Sequence, residues 1–499
     1  MNPEGTTEDI LKQLQIDHIP PELLSLIFLH CVANEPVGSG LLVNRAPWTL
    51  GKVCHRWRRV CLGTPELWLN LPKLNTNSAE ARNPVIMDLL RTSLALSSQM
   101  PLRLDLTTYA TFDTRSLSIL GTILAHFYRC RSLNLALNGM ALPFLRHHHW
   151  NVRFLDSLSL RFFGHPEHFN EGLLDFLSDA PALKECTILV ESLRSSVTTF
   201  PTVPVDFESF KLPWSQLTIF NATFISSHLA TQVILNAPLL INCKLTSMYS
   251  RSGQDPTPCI PHLRLKSLAL VFKEHNDAEY RIPDGFLESL RLPELTHFDV
   301  RYDVPSTWNL ISLIDRSNCK LTTLGLSISN CDNNQALSFF NSVPQVEDLE
   351  LRVDPEWMIK RGHMDALLVD GYYGRTLLPH LRHITIFPSK HNTDLHKFKI
   401  MSFIQDRTSS HLSQPTHQSD ISPLETFTLV IDDIDALRQM FYFLEGWETN
   451  PSNDRYYASL VSLKKGLMGY LRGVNHEEPG GQQASFSEVS PAASASDTC

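Results

Sequence analysis

The 499-residue sequence predicts an α/β fold in which a small helical domain precedes a long solenoid of alternating strands and helices. Three observations support this fold class. A short apolar template recurs along most of the chain, proline often precedes it, and compact helical patterns occupy the segment before the first copy. Apolar residues make up 43% of the chain and charged residues 19%, so the sequence can bury an extended core.

The repeated template reads apolar-x-x-apolar-x-apolar, where x is any residue. Its middle positions are 25 to 31 residues apart, except for two final steps of 35 and 43 residues. A weaker copy is expected at Leu102/Leu104. The eleven clear copies are Cys130/Leu133/Leu135, Leu155/Leu158/Leu160, Leu183/Cys186/Ile188, Trp214/Leu217/Ile219, Leu240/Cys243/Leu245, Leu265/Leu268/Leu270, Leu295/Phe298/Val300, Leu321/Leu324/Leu326, Val346/Leu349/Leu351, Leu381/Ile384/Ile386 and Leu424/Phe427/Leu429.

Proline stands two residues before the first apolar position in five copies. Because proline cannot continue a helix, it ends the preceding helix and releases the chain into a strand. These prolines are Pro181, Pro238, Pro293, Pro344 and Pro379. Helical spacing upstream of two copies is carried by Phe169, Leu173 and Phe176 and by Leu337, Phe339 and Phe340.

A strand followed by a helix at this period is typical of leucine-rich repeats, whose copies stack because none covers its apolar face alone. A series of unrelated βα units in a leucine-rich chain is the alternative. In the repeat, side chains between the apolar positions point outward and line a concave parallel sheet. The outward positions, mostly small and polar, include Asn134, Ser159, Thr187, Thr218, Thr385 and Thr428. These positions show no clear pattern of charge, so no substrate-binding residue is predicted.

Three helices are predicted in the segment 17–71. The first opens at Pro20 and Pro21, which suit a first helical turn. The apolar faces of the first and second helices follow i, i+3, i+4 and i+7 spacing. These faces are Leu23, Leu26, Ile27 and His30, and then Leu50, Val53, Cys54 and Trp57. The third helix starts at Thr64, an N-cap, followed by Pro65 at the first position.

The same segment carries more large apolar residues than a domain of its size can bury. The additional residues are Leu24, Phe28, Leu29, Trp48, Leu62, Leu67 and Trp68. Such an excess implies either a surface for a partner protein or packing against the first repeat.

Three stretches of this segment resemble the signatures of the F-box, in the same order. Residues 19–28 resemble the opening I/L-P-x-E-(L/I)-(L/I)-x-x-I-F, and residues 53–58 resemble the second signature, V-C-x-x-W-R. Residues 64–68 resemble the P-x-L-W ending of the F-box-like form common in fungal proteins. The resemblance covers about 55 of the 499 residues, and the insertion 32–46 is longer than in the compact F-box.

The resemblance implies an F-box and leucine-rich-repeat protein, the substrate receptor of a Skp–cullin–F-box type E3 ubiquitin ligase. The F-box would bind the Skp adaptor and, through it, cullin, while the repeats hold a protein target. A scaffold of the same architecture that acts without ubiquitin transfer is the alternative. By motif, the adaptor-binding residues are Pro20, Pro21, Glu22, Leu23, Leu26, Ile27, Val53, Cys54, Trp57, Leu67 and Trp68. For each apolar residue of this set, the alternative is that it packs in the small helical core and does not contact the adaptor.

Charge and composition argue against several other classes of protein. The net charge of −9 gives no indication of nucleic-acid binding. The most apolar long stretch, 224–241, contains too many polar residues to span a membrane. The ten cysteines form no C-x-x-C pair and residues 1–10 show no signal-peptide pattern, which predicts free thiols in a cytoplasmic or nuclear protein.

No catalytic residue, metal site or cofactor is predicted. The phosphate-binding G-x-x-x-x-G-K, the dinucleotide-binding G-x-G-x-x-G and the G-x-S-x-G nucleophile elbow do not occur. The histidine and acidic clusters are interpreted as polar parts of loops, strands or helix starts, and the cysteines as small buried hydrophobes. The residues in question are His147, His148, His149, His380, His383, Asp432, Asp433, Asp435, Cys130, Cys186, Cys243 and Cys319. A hydrolase concealed in the repeats is the weakest hypothesis.

The tail is rich in Gly, Ser, Ala and Pro and cannot bury enough apolar surface to offset its ordering entropy. The predicted boundaries are a flexible leader at 1–16, the F-box-like domain at 17–71, a linker at 72–84, the solenoid at 85–474 with polar loops at 250–258 and 405–422, and a disordered tail at 475–499.

Overall fold

The computed structural model contains two compact units, unit 1 within 1–224 and unit 2 within 225–499. The described residues are 19–34, 44–69, 71, 74–75, 85–108, 114–138, 151–163, 175–191, 212–223, 225–248, 260–271, 284–301, 307–328, 333–353, 377–388, 422 and 425–429. The predicted leader, most of the linker, nearly all of both polar loops and the tail lie outside these residues, and so do the three consecutive histidines and the acidic cluster.

Unit 1 begins with a helical segment. Its elements are α1 (Pro21–Ala33), α2 (Leu50–Val53), α3 (His55–Gly63) and a 3-10 helix (Pro65–Trp68). Pro20 stands at the N-cap of α1 and Pro21 at its first position, where the missing N–H has no intrahelical partner to lose. Glu22 lies in the first turn, where the helix dipole favours a negative charge.

The second predicted helix is divided into α2 and α3, so the continuous face expected from Leu50 to Trp57 was wrong. Cys54 between them is extended, with φ −154° and ψ 172°, and therefore ends α2. Its Sγ accepts a hydrogen bond from the Trp57 backbone N–H at 3.4 Å and caps α3. Because of this break, Val53 is exposed while the Trp57 ring packs against Phe28.

The expected N-cap at Thr64 also takes a different form. Its side chain makes no capping bond to the 3-10 helix that follows. The Thr64 hydroxyl instead donates to the Val60 carbonyl oxygen at 2.8 Å, at the end of α3. A short hydroxyl side chain commonly bonds back to the preceding turn in this way.

Unit 1 continues as a parallel sheet. Its strands are β1 (Leu74–Asn75), β2 (Leu102–Thr108), β3 (Cys130–Asn138), β4 (Ser157–Phe163), β5 (Glu185–Glu191) and β6 (Ile219–Thr223). Between them lie α4 (Val85–Leu96), α5 (Thr114–Leu124) and 3-10 helices at Phe127–Arg129, Asp175–Asp179 and Trp214–Gln216. The strands pair in chain order, each parallel to the next.

Unit 2 repeats the alternation. Its main strands are β7 (Asn242–Thr246), β9 (Ser267–Val271), β11 (His297–Arg301), β12 (Thr323–Ile328), β13 (Asp348–Val353), β14 (His383–Pro388) and β15 (Thr426–Leu429), and they pair in parallel in that order. The helices are α6 (Ser227–Asn236), α7 (Asp284–Glu288), α8 (Thr307–Ser317) and α9 (Asn333–Ser342). β8 (Ile260–Pro261) and β10 (Leu290–Arg291) form a separate parallel pair. No helix among the described residues is long and apolar enough to cross a bilayer.

The template residues align across neighbouring strands, as a stacked repeat requires. In unit 2 the middle positions lie in one row: Cys243, Leu268, Phe298, Leu324, Leu349, Ile384 and Phe427. Leu268, Leu324 and Ile384 are fully buried, and a buried side chain of this kind contributes roughly 1.5–3 kcal/mol. The predicted α/β class with a parallel sheet is confirmed, and the arrangement is consistent with a repeat solenoid.

The sequence pattern assigns one copy of the template in the wrong register and leaves another incomplete. In the fourth copy the middle residue is Phe220, which pairs with Cys186, and the copy is therefore Leu217/Phe220/Ala222. Trp214 lies upstream in a 3-10 helix, with its ring 5.4 Å from that of Phe220. In the weak copy, the predicted Leu102 and Leu104 pair with the template residues Cys130 and Leu133 of β3, and Leu106, which pairs with Leu135, completes the copy.

The sheet begins earlier than the predicted linker allows. Leu74 and Asn75, inside the segment 72–84, form β1 and pair with β2. Upstream of β1, the Arg103 N–H donates to the Leu69 carbonyl oxygen at 3.2 Å, and the Leu71 N–H donates to the Arg103 carbonyl oxygen at 3.4 Å. The chain leaving the helical segment is thus hydrogen-bonded to the sheet edge from residue 69 onwards.

The template prolines follow helices in three copies. Pro181, Pro238 and Pro344 each come within two residues of the end of a 3-10 or α-helix, as the sequence predicts. Pro293 instead follows the short strand β10. The predicted helical cluster at Phe339 and its neighbours lies in α9.

A buried arginine connects the end of α4 to the turn before β3. Arg129 Nη1 donates to Ser97 Oγ at 3.0 Å and to the Met100 carbonyl oxygen at 3.1 Å, and Nη2 donates to the Leu94 carbonyl oxygen at 2.8 Å. Carbonyl groups at a helix C-terminus lack intrahelical donors and carry partial negative charge, so a cation stabilises them. Arg129 therefore acts as a C-terminal cap supplied by a neighbouring repeat.

His126 should make the stability of unit 1 depend on pH. Burial and the nearby Arg129 charge lower the pKa of His126, so protonation is less favourable in the folded state than in the unfolded chain. Its contribution is complete above the ordinary histidine value of 6.5 and is lost as pH falls through the lower folded value. We expect the urea midpoint to fall more steeply between about pH 7 and about pH 5 in the wild type than in His126→Gln. Equal slopes would contradict this assignment.

Candidate functional site

α1 is apolar on all sides, a pattern usually found in helices that are buried all round. One side is indeed buried, since Leu24 and Phe28 are 1% and 0% exposed. The opposite side is not: Leu23, Leu26 and Ile27 are 52%, 60% and 46% exposed. These three residues, spaced i, i+3 and i+4, form one continuous surface that we call the α1 stripe.

The core beneath α1 is complete without the stripe. Its buried residues are Leu24, Phe28, Cys61, Leu67 and Trp68. Aromatic rings hold it together, with centroids 4.9 Å apart in both the Phe28–Trp57 and the Trp48–Trp68 pairs. The Trp68 Nε1–H donates to the Cys61 carbonyl oxygen at 2.9 Å, and Leu96 of α4 also packs against the cluster. Folding therefore accounts for the inner side of α1 but not for the α1 stripe.

The corner between α2 and α3 exposes a further apolar residue. Val53 at the end of α2 is exposed, as is the Cys54 cap that follows it. The Arg58 Nε–H donates to the Gly51 carbonyl oxygen at 2.9 Å and links α3 to the end of α2. Two hydrogen bonds therefore fix the corner, one that Cys54 Sγ accepts from the Trp57 N–H and one that Arg58 donates.

The predicted adaptor-binding residues divide into three groups by exposure. Exposed are Pro20, Pro21, Glu22, Leu23, Leu26, Ile27, Val53 and Cys54. Trp57 is half-buried, while Leu67 and Trp68 lie in the core. Leu67 and Trp68 therefore support the surface from beneath. The sequence pattern placed Leu62 among residues competing for the core, whereas its side chain is exposed.

Basic side chains surround the α2–α3 corner although the chain as a whole is acidic. The full segment 17–71 contains five Lys or Arg and four Asp or Glu, a formal charge of +1 within a chain of −9. Lys52, Arg58 and Arg59 are exposed near the α2–α3 corner. A partner with carboxylates around an apolar groove would complement this surface.

Some polar side chains on the outward face of the sheet in unit 1 bond to a neighbouring strand. Asn134 Nδ2 donates to Asp105 Oδ2 at 3.1 Å, and Asn221 Nδ2 donates to Thr187 Oγ1 at 3.0 Å. Asn221 takes the outward place that the sequence assigned to Thr218, because the fourth copy is shifted. Each of these bonds joins neighbouring strands, so each amide donates to a side chain of the strand before its own.

On the outward face of unit 2, charged residues in two adjacent rows contact one another. Asp299 and Arg301 stand on β11, and Glu350 and Arg352 stand on β13. Arg301 Nε lies 2.8 Å from Asp299 Oδ2, and its Nη2 lies 3.3 Å from Glu350 Oε1. Arg352 Nη2 lies 3.4 Å from the same Glu350 oxygen. We call these four residues the charged strip, a group that the sequence motifs did not predict.

A second polar group lies at the start of β13, β14 and β15. His383 Nδ1 is 2.8 Å from Thr426 Oγ1, and His383 Nε2 is 3.8 Å from both Asp348 Oδ1 and Glu425 Oε2. The histidine predicted at a strand entry is thus held by hydroxyl and carboxylate groups of the neighbouring strands. Among the described residues, no three His, Cys, Asp or Glu side chains are arranged to hold a metal ion.

The buried cysteines are unsuited to nucleophilic chemistry. Burial raises the pKa of Cys186 and Cys243 to about 12, so these thiols are protonated near neutral pH. Cys130 behaves similarly, with burial raising its pKa to about 12. Cys319, beside the template, is half-buried, and burial raises its pKa to about 11. The interpretation of these cysteines as packing residues agrees with their positions.

No protein-family model matches this chain, and no curated protein matches it in sequence. Several solved structures are distantly similar in fold, among them the following two. A protein of Bacteroides fragilis matches 60% of this chain and 83% of its own at 14% identity, with a TM-score of 0.33. The complex of Rad7 and Elc1 in yeast matches 77% of this chain and 92% of its own at 13% identity, with a TM-score of 0.29. At these TM-scores neither likeness supports a statement about function.

Proposed function

We propose that this chain is a non-catalytic substrate receptor of a Skp–cullin–F-box type E3 ubiquitin ligase, acting in the cytoplasm or nucleus. The α1 stripe carries the proposal: Leu23, Leu26 and Ile27 are exposed on a helix whose other side already fills a complete core. These residues belong to the stretch that resembles the opening signature of the F-box. The Skp adaptor is the partner that this resemblance implies.

Folding leaves the side chains of the α1 stripe in water, and a partner could bury them. Burying a Leu or Ile side chain contributes roughly 1.5–3 kcal/mol, so three on one helix face would supply a large part of a stable interface. Val53 adds a fourth exposed apolar group from the α2–α3 corner. Interfaces commonly concentrate their binding energy in a few such residues that a partner desolvates completely.

The repeats would supply the second half of the function. Outward side chains on rigid parallel strands present a fixed surface to a target protein. A receptor of this kind raises the rate of ubiquitin transfer by holding the target near the charged enzyme, and needs no acid–base group of its own. The target is a protein whose identity the repeats alone do not specify.

Reconstitution tests the proposal directly. The full chain is mixed with the Skp adaptor and cullin, and we expect the three to elute together in size-exclusion chromatography. Absence of the adaptor from the peak containing the folded chain would refute the proposal. Trp57→Ala is a poor interface variant because the Trp57 ring is 4.9 Å from Phe28 in the core. Variants of the α1 stripe avoid that difficulty.

Ubiquitin transfer separates a ligase receptor from a plain scaffold. Proteins captured by proximity labelling are followed in cells with and without this chain. We expect at least one to be ubiquitylated and to have a longer half-life when the chain is removed. Captured partners with unchanged half-lives and unchanged ubiquitylation would favour the scaffold.

A further inference from the structure

The charged strip is made possible by a glycine. Gly325 on β12 lies in register between Asp299 on β11 and Glu350 on β13. A Cβ at this position would stand 2.5 Å from Asp299 Oδ1, closer than such atoms pack. Because Gly325 has no side chain, the Asp299 carboxylate occupies that space and Arg301 extends across β12 to Glu350. The four charges therefore form one connected network over three strands.

The guanidinium groups of the strip are short of acceptors. Arg301 Nε donates to both Asp299 carboxylate oxygens, at 2.8 and 3.0 Å. Glu350 Oε1 is then shared by Arg301 and Arg352 at 3.3 and 3.4 Å, longer than the roughly 2.7–2.9 Å of a strong charge-assisted bond. The Arg352 Nε–H is buried and has no acceptor within the described part of the chain. A buried donor without a partner is unfavourable, and it leaves the Arg352 guanidinium with fewer acceptors than it has donors.

The two arginines are also held in position. The Arg352 guanidinium lies 4.3 Å from the centre of the Phe387 ring on β14, a cation–π contact that fixes its plane. Arg301 is fixed by its two bonds to Asp299. About a third of each arginine side chain is exposed, so both can reach a partner. Side chains that are already ordered lose little entropy on binding.

We propose that the charged strip binds an acidic, unmodified segment of a target protein, whose carboxylates accept hydrogen bonds from Arg301 and Arg352. The two arginines are two strands apart, roughly 10 Å. An extended chain rises about 3.3 Å per residue and alternates its side chains between two faces, so acidic residues two positions apart, about 6.6 Å, face the strip together. Flexible Glu side chains span the remaining distance of about 3 Å. The target is a ubiquitylation substrate if the proposed function holds, but the docking itself does not depend on that.

Carboxylate suits the strip better than phosphate. Asp299 and Glu350 already balance the two guanidinium charges, and a phosphate of nearly two negative charges would face stronger repulsion from them than a carboxylate. The positive and negative charges of the strip are equal in number. The acidic segment is therefore attracted by short-range hydrogen bonds to the arginines, and long-range electrostatic attraction contributes little. Binding should therefore weaken only modestly as salt is raised.

Labelled peptides test the proposal on the full chain. A fluorescein-labelled Gly/Ser peptide of about nine residues carries two Glu residues two positions apart, and matched peptides carry Gln, Lys or phosphoserine there. By fluorescence anisotropy, we expect the Glu peptide to bind most tightly and Arg352→Gln or Arg301→Gln to weaken it about tenfold. The matched control is Arg161→Gln. Arg161 follows the last template residue of β4 in unit 1, just as Arg352 follows that of β13, and we expect this variant to bind the Glu peptide like the wild type.

Several results would overturn the proposal: equal binding of the Gln peptide, tighter binding of the Lys or phosphoserine peptide, or an unchanged affinity in Arg352→Gln. The assay contains no adaptor, so its outcome is independent of the proposed ligase function. A variant of the α1 stripe should bind the Glu peptide like the wild type, which separates the two surfaces. Loss of peptide binding in that variant would contradict the assignment to the charged strip.

Discussion

Replacing Leu26 by Asp is expected to reduce binding of the Skp adaptor about 100-fold while leaving the chain folded. Leu26 is 60% exposed at the centre of the α1 stripe, so the new carboxylate is solvated in the free protein. In the complex the same carboxylate would be buried in an apolar interface without a partner, which is strongly unfavourable. Affinity is measured by isothermal titration calorimetry. Folding is followed by urea denaturation, where the free energy of unfolding should change by no more than about 0.5 kcal/mol.

A matched control is available in unit 2. Leu263 is 67% exposed and outside the helical segment, so Leu263→Asp makes the same chemical change on another surface. We expect this variant to bind the adaptor with wild-type affinity. Equal losses in both variants would indicate a general effect of added charge, and an unaffected Leu26→Asp would show that the α1 stripe is not the docking surface.

The α1 stripe could be predicted from sequence because helical periodicity is local. Leu23, Leu26 and Ile27 share a face in any regular helix that starts at Pro21. The division at Cys54 could not be predicted, since Leu50 to Trp57 has continuous helical spacing. A single extended residue, capped by its own Sγ, divides this segment and separates Val53 from the core. Motif residues that look equivalent in sequence therefore fall on the surface or in the core.

Features that depend on strand pairing lie beyond a local pattern. Leu217 fits the template as its first or as its middle residue, and the pairing of Phe220 with Cys186 decides between them. The charged strip likewise brings Asp299 next to Glu350 through the intervening Gly325. Each of these residues looks like an ordinary strand position when read alone. Aligning the copies by their middle residues before reading the outward positions would have shown the charged rows.

Arg129→Met is expected to cause the largest loss of stability among single substitutions that preserve side-chain length, about 3–5 kcal/mol. Arg129 is 3% exposed and no carboxylate contacts it among the described residues. Methionine fills similar space but donates no hydrogen bond, so the Leu94 and Met100 carbonyl oxygens lose their charged partner. The measurement is the free energy of unfolding in urea, followed by circular dichroism.

Two further variants distinguish the contribution of the planar guanidinium hydrogen bonds from that of the positive charge alone. Arg129→Lys keeps the positive charge but replaces a planar fork with a point donor, so it should retain part of the lost stability. Arg131→Met removes a nearby arginine that is exposed and lies 2.7 Å from Asp156, and a surface pair of this kind contributes about 0–1 kcal/mol. If Arg129→Met costs no more stability than Arg131→Met, water caps the end of α4 equally well. A large loss at position 129 with a small one at 131 shows that neighbouring repeats are joined by a buried cation as well as by the apolar template.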